Sequence, residues 1–200
     1  MATVEGEISA AAAKLAHQGV NFRGVHHLVL NTDDIKMTVD FYAGVLGMPL
    51  IHAMKVPPGV SRGNPPFENL RHYFFDMGND SMLAFFELPK GAKDKADRDG
   101  VAAMQHVSFS VGLKQMDGLV ARLDKAGIAH YGPMESAPGT ISCYFYDPNG
   151  IRLEASYQTA RGGAQELIND FRMTKEKILK ELRTVTTDEK WLEWVTAGLE

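Results

Sequence analysis

Apolar positions change their spacing several times along the chain, and each change marks an element. Val25 to Leu30 reads as a strand. Asn31-Thr32-Asp33-Asp34 follows, with short oxygen side chains able to accept the free amide hydrogens of a first helical turn. Ile35, Val39, Tyr42 and Leu46 then recur at helical spacing, and Gly47 is a natural stop. Met48 to Val56 reads as a second strand, and Arg71 to Met77 and Met82 to Leu88 as two more, joined by the hairpin signal Gly78-Asn79-Asp80. Between them, residues 57–66 hold four prolines (Pro57, Pro58, Pro65, Pro66) and two glycines (Gly59, Gly63), which dictates a loop. A loop of that length in a compact domain is a candidate lid, whose deletion is expected to impair turnover more than metal content.

The pattern then starts again. Gln105 to Val111 reads as a strand, and Met116, Leu119, Val120 and Leu123 form a helical stripe that Gly127 ends. Ile128 to Tyr131 is a short strand and Pro133 to Gly139 a loop. Ile141 to Tyr146 and Ile151 to Ser156 are strands joined by the turn Asp147-Pro148-Asn149-Gly150. The order β-α-β-β-β thus occurs twice, and His27 and Met37 recur 79 positions later as His106 and Met116. Such repetition outweighs any single motif in choosing a fold. It predicts an α+β protein in which two βαβββ modules form a half-open curved sheet barrel with a concave interior, plus C-terminal helices.

The expected boundaries are 1–23 for an N-terminal helical leader (Ile8, Ala11, Ala12 and Leu15 at helical spacing), 24–92 and 93–158 for the two modules, and 159–200 for a C-terminal helical extension. In the extension, Leu167, Ile168, Phe171, Ile178, Leu179 and Leu182 fit an amphipathic helix. Thr186-Thr187-Asp188-Glu189 supplies a cap ahead of Trp191, Leu192, Trp194 and Val195. These helices are expected to cover one face of the body or of a partner subunit.

Composition narrows the picture. Hydrophobic residues make up 44% and charged residues 23% of the 200, ordinary for a globular protein. A formal charge of −4 provides no basic field for nucleic acid. No stretch approaches the roughly 18 apolar residues of a membrane span, and the alanine run Ala10 to Ala13 is too short for a secretory signal. The single cysteine, Cys143, forms no internal disulfide and lies in an apolar strand, where a buried, inert thiol is expected. The expected setting is the cytoplasm.

Two histidines open equivalent strands, His27 and His106, and two glutamates lie in last strands, Glu87 and Glu154. A glutamate among apolar neighbours is costly to bury without a partner. One divalent cation inside the barrel accounts for all four, and two imidazoles with two carboxylates suit Fe, Mn, Ni, Co or Zn. Taken singly, each has a plainer explanation: His27 as a core histidine, Glu87 as an exposed edge residue, Glu154 as the partner of Arg152 on the same strand face. Of the neighbours Arg71 and His72 only one can face the cavity, as an anion binder or proton carrier.

His27 with Asp34, Phe41-Tyr42 and Leu46-Gly47, and later Asp147-Pro148-Asn149-Gly150 with Glu154, resemble the vicinal-oxygen-chelate superfamily. That group includes glyoxalase I, extradiol dioxygenases, methylmalonyl-CoA epimerase and fosfomycin- and bleomycin-resistance proteins. The resemblance covers roughly residues 24 to 157. It implies metal ligands from the first and last strands of each module, which maps onto His27, Glu87, His106 and Glu154. It also implies a small-molecule substrate and a possible homodimer. Two departures count against a glutathione adduct as substrate: Asn31 stands where glyoxalase I has arginine, and Gly91 where it has asparagine.

Four protein ligands leave two adjacent positions on a six-coordinate metal, which a substrate with neighbouring oxygens can chelate. The resulting expectation is glyoxalase-type isomerase or lyase chemistry through an enediolate, with Glu87 or Glu154 loosening to act as base. The first alternative is an extradiol ring-cleaving dioxygenase on a catechol-like aromatic. It needs two histidines and one carboxylate, hence a vacant Glu87 position. In its favour, Tyr144 lies ten residues before Glu154 and resembles the tyrosine beside the metal in those enzymes. Tyr73, Phe75, Phe85 and Phe109 would then wall a flat ring, if they are not simply core. The second alternative is a small-molecule-sequestering, resistance-type binding protein. The candidate catalytic residues are Glu87, Glu154, His72 and Tyr144.

Overall fold

The computed structural model describes residues 24–57, 70–91, 94–95, 97–159 and 171–199, with Ile8 and Ala12. The Pro57–Pro66 loop, most of the leader and Leu167 and Ile168 therefore lie outside the described residues, apart from Pro57. The chain divides into two compact units: Val25–Gln165, and Met1–Gly24 together with Glu166–Glu200.

In the larger unit β1 (His27–Thr32) leads into a short helix α1 (Ile35–Val39) that continues as a π-helical turn, Asp40–Val45. Asp34 caps α1, its side chain accepting from the Met37 N–H at 2.9 Å. Then come β2 (Leu50–Lys55), β3 (Arg71–Gly78) and β4 (Ser81–Glu87). The second half repeats this with β5 (Val107–Ser110), α2 (Leu113–Lys125), β6 (His130–Ala137), β7 (Thr140–Tyr146) and β8 (Arg152–Gln158). The strands form two four-stranded sheets, ordered β1-β4-β3-β2 and β5-β8-β7-β6. In each, the first strand pairs parallel to the last and the other pairs are antiparallel. The fold is α+β with sheets not closed into a barrel, as the repeat implied.

β6 corrects one expectation: the segment beginning at Pro133 is strand, not loop, as far as Ala137. β6 is an edge strand, and its pairing with β7 is irregular between Tyr131 and Met134, so a proline without an N–H is tolerated there. Gly132 beside it has φ +100°, and a Cβ at that position would lie 2.4 Å from the Ser142 carbonyl oxygen. Only glycine allows that approach.

The face of each sheet that meets the helices builds the core. On β4 this is Leu83 and Phe85, with Phe75 of β3 and with Phe41 and Tyr42 of the π-helical turn. On β8 it is Leu153 and Ala155, with Cys143, Phe145, Met116 and Leu123. Cys143 is fully buried and burial raises its thiol pKa, which suits an inert residue.

Polar contacts join the halves. The Tyr42 hydroxyl donates to Asp147 at 3.1 Å, Thr32 donates to the Asn149 side-chain oxygen at 2.7 Å, and Arg122 donates to the carbonyls of Gly44 and Val45. Burial pushes both partners of the Tyr42–Asp147 pair up, Tyr42 well above its ordinary range.

The smaller unit contains α3 (Lys175–Leu182) and α4 (Glu189–Val195). α4 is capped by Asp188, which accepts from the N–H groups of Lys190 and Trp191. Among the described residues no helix is long and apolar enough to cross a membrane.

Candidate metal centre

Side chains alternate along a strand, so one face of each sheet is core and the other is the interior of the half-barrel. On β8 the core residues are Leu153 and Ala155, which turns Arg152, Glu154 and Ser156 to the interior. Glu154 is 7% exposed. Its Oε2 lies 3.0 Å from Nε2 of His106, the residue immediately before β5. Ser156 donates to its Oε1 at 2.8 Å. The hydroxyls of Ser142 and Tyr144, which face the same way on β7, also reach this carboxylate. Burial by itself would raise the Glu154 pKa. Hydrogen bonds from Ser142, Ser156 and Tyr144 and the nearby His106 outweigh it and hold the carboxyl below its ordinary range.

A ladder of hydroxyls backs this arrangement. Ser156 is 2.9 Å from Ser108 and 3.0 Å from Ser142, which is 2.7 Å from Ser136. The Tyr144 and His106 rings are 6.3 Å apart at their centroids, and the Arg152 guanidinium lies 4.7 Å over the Tyr144 ring. Arg152 thus rests on an aromatic face and makes no ion pair with Glu154.

The first sheet places His27 at the position equivalent to His106. His27 pairs with Met82, so Ala84 and Phe86 share its face of β4, with Phe74 and His72 beside them on β3. His72 stacks on Phe86 at 3.8 Å between centroids and lies 4.3 Å from Phe74. The His27 and His52 rings lie 6.2 and 5.5 Å from Phe74. Burial, then the nearby His27 and His52, lower the His72 pKa and favour the neutral ring. Its Nε2 is buried without a hydrogen-bond partner among the described residues.

Glu87 is not placed with these groups. It lies three residues beyond Ala84 and so shares the opposite face with Leu83 and Phe85. There it forms an ion pair with Arg71 and accepts from the Ile35 N–H at 3.0 Å, at the start of α1. Strand pairing explains the misassignment. Val29 and Ser108, the equivalent residues of β1 and β5, face Ala84 and Glu154 respectively. The counterpart of Glu154 in the first module is therefore Ala84. The same parity places Tyr73, Phe75, Phe85 and Phe109 against the core and not along a substrate wall. It also resolves the Arg71–His72 pair: His72 faces the interior.

His27 has its Nδ1 2.8 Å from Nδ1 of His26, and His106 contacts the Gln105 side chain. Among the described residues no three His, Cys, Asp or Glu side chains converge at metal-binding range. The structure brings together His106, Glu154 and Tyr144, places His27 and His72 on the interior of the other sheet, and separates Glu87 from all of them. The serines, Phe74, Phe86 and His52 were missed in the sequence. Their alternation with core residues was the available signal.

A family model described as Glyoxalase/Bleomycin resistance protein/Dioxygenase superfamily matches residues 24–155. No curated protein matches the chain. Several solved structures resemble it in fold. A glyoxylase/bleomycin resistance protein/dioxygenase domain from Frankia sp. EAN1pec is 23% identical with a TM-score of 0.57, covering 69% of this chain and 99% of its own. A glyoxalase/dioxygenase from Nostoc punctiforme is 25% identical with a TM-score of 0.53, covering 69% and 92%. A mutant of the fosfomycin resistance protein FosX from Listeria monocytogenes, complexed with Mn(II) and 1S,2S-dihydroxypropylphosphonic acid, is 16% identical with a TM-score of 0.51, covering 76% and 100%.

Proposed function

This chain belongs to the Glyoxalase/Bleomycin resistance protein/Dioxygenase superfamily, and from that membership we propose that it is a metal-dependent enzyme of the extradiol ring-cleaving type, acting on a catechol-like aromatic. His106 and Glu154, 3.0 Å apart, would start the cation site, and His27, which does not stand at metal-binding range of that pair in this structure, would have to move in to complete it; two imidazoles and one carboxylate with open positions favour Fe(II). The observation that carries this reading is Ala84 at the position where a fourth ligand would stand. A glyoxalase-type site with Glu87 as ligand or base loses its support, because Glu87 lies on the other face and is engaged by Arg71 and the Ile35 amide.

The donor chemistry suits a cation. Glu154 is buried yet kept anionic by hydroxyl donors, and its second oxygen already faces an imidazole nitrogen. When bound, the metal supplies the Lewis acidity and redox capacity that ring cleavage by dioxygen requires. The chain does the rest. Phe74 and Phe86, packed with His72, make this part of the interior face apolar and aromatic. His72, kept neutral by burial and by the nearby His27 and His52, adds an uncharged imidazole to the interior face of the first sheet. Tyr144 and Ser156 fix the Glu154 carboxylate in one orientation.

Anaerobic loading with Fe(II), followed by oxygen uptake in the presence of catechols, tests this directly. The reading requires stoichiometric uptake and a yellow ring-fission product. Full metal loading without oxygen uptake for any catechol would return the isomerase or lyase chemistry to first place. Absence of metal binding would favour a sequestering protein.

A further inference from the structure

A cavity of about 750 Å³ opens beside the β7–β8 turn and takes in Val29 and Asn31 from the interior face of β1. Four cations line it, Lys90, Lys95, Arg98 and Arg152, against three aspartates, Asp33, Asp34 and Asp94. Asp34 is already committed to the Met37 amide. Among the described residues, none of Lys90, Lys95 and Arg152 is ion-paired, and Arg98 reaches only its neighbour Asp99, at 3.6 Å. Both arginines rest on tyrosines of one strand, Arg152 over Tyr144 at 4.7 Å and Arg98 over Tyr146 at 5.7 Å. An aromatic ring takes up the flat face of a guanidinium and leaves its in-plane N–H donors available. Arg152 also lies on the same face of β8 as Glu154, two residues away, or about 7 Å along the strand. That is the reach of a six-membered ring bearing one short substituent.

We infer that this cavity receives a carboxylate carried by the substrate, with Arg152 and Arg98 as the principal donors and Lys95, whose Nζ approaches Gly150, as a third charge. The lining leaves one net positive charge, which matches a singly charged carboxylate better than a doubly charged phosphate. The inference rests on the aromatic-substrate reading above. It adds that the natural substrate is an acidic catechol and not a neutral one.

The test is calorimetric binding to the anaerobic protein, with and without Fe(II), of a catechol carrying a carboxymethyl group and of the same ring carrying a methyl group. Wild type should bind the acid at least about tenfold tighter, the value of one good charged hydrogen bond. Arg98→Gln with Lys95→Gln, and separately Arg152→Gln, should erase the preference by weakening binding of the acid far more than binding of the methyl compound. Asp94→Asn should strengthen it. Equal affinities in wild type, binding of neither ring, or a preference that survives all three substitutions would overturn the inference. Oxygen uptake keeps it distinct from the proposed reaction. If neither ring is cleaved but the preference is present and lost in the variants, ring cleavage fails and the anion pocket stands.

Discussion

The two sheets share a backbone plan and diverge on their interior faces, position for position. Where the second sheet carries His106, Ser108, Glu154, Tyr144, Ser142 and Ser156, the first carries His27, Val29, Ala84, Phe74, His72 and Phe86. One face is a set of hydroxyls organised around a buried carboxylate. The other is aromatic and imidazole surface without an acid. Duplication supplied two histidines in equivalent places, whereas the carboxylate is found in one copy only. On the proposed reading the second module would orient an anionic ligand and the first would supply aromatic and neutral imidazole surface.

Making the first module resemble the second is the sharpest way to break this contrast. Ala84→Glu should supply a fourth ligand, the second carboxylate, keep the metal and abolish oxygen uptake, as metal analysis and an oxygen electrode will report. Retained activity would mean that position 84 does not face the metal. Next in size, Ser156→Ala removes a donor from Glu154 and should weaken metal affinity by about 10–100-fold, the usual cost of losing a group that orients a ligand. A competitive chelator titration measures it. Phe86→Ala should raise KM for an aromatic substrate by about tenfold, in keeping with the 0.5–1.5 kcal/mol of an aromatic pair plus lost apolar area, and leave metal content alone. Smallest is the effect of pH on His72. The half-buried ring resists a proton that the unfolded chain accepts, so stability should fall as pH drops below the ordinary imidazole range. His72→Phe should remove that part of the slope in urea denaturation curves at several pH values.

The duplicated fold was legible because alternation and turn chemistry are local. The Asp34 cap, the Gly78-Asn79-Asp80 hairpin and the Asp147–Gly150 turn all form where their residues dictate. The proximity of His106, Glu154 and Tyr144 was also legible, since Glu154 and Tyr144 lie in strands whose core partners are plain and His106 directly precedes one. Glu87 was misread because similarity of position within a strand was allowed to stand for pairing register. Leu83 and Phe85 are core, so Glu87, in step with them, faces away from the interior, and a one-residue change of parity reverses a side chain's face. The hydroxyl ladder escaped notice because serines carry no signal of their own until strand pairing stacks them.

The most direct test of the account is metal content per chain in three proteins prepared side by side: wild type, Glu154→Gln and Glu87→Gln. The account predicts one divalent ion in wild type, loss in Glu154→Gln and full retention in Glu87→Gln. Loss of the ion in Glu87→Gln, or its retention in Glu154→Gln, would contradict it.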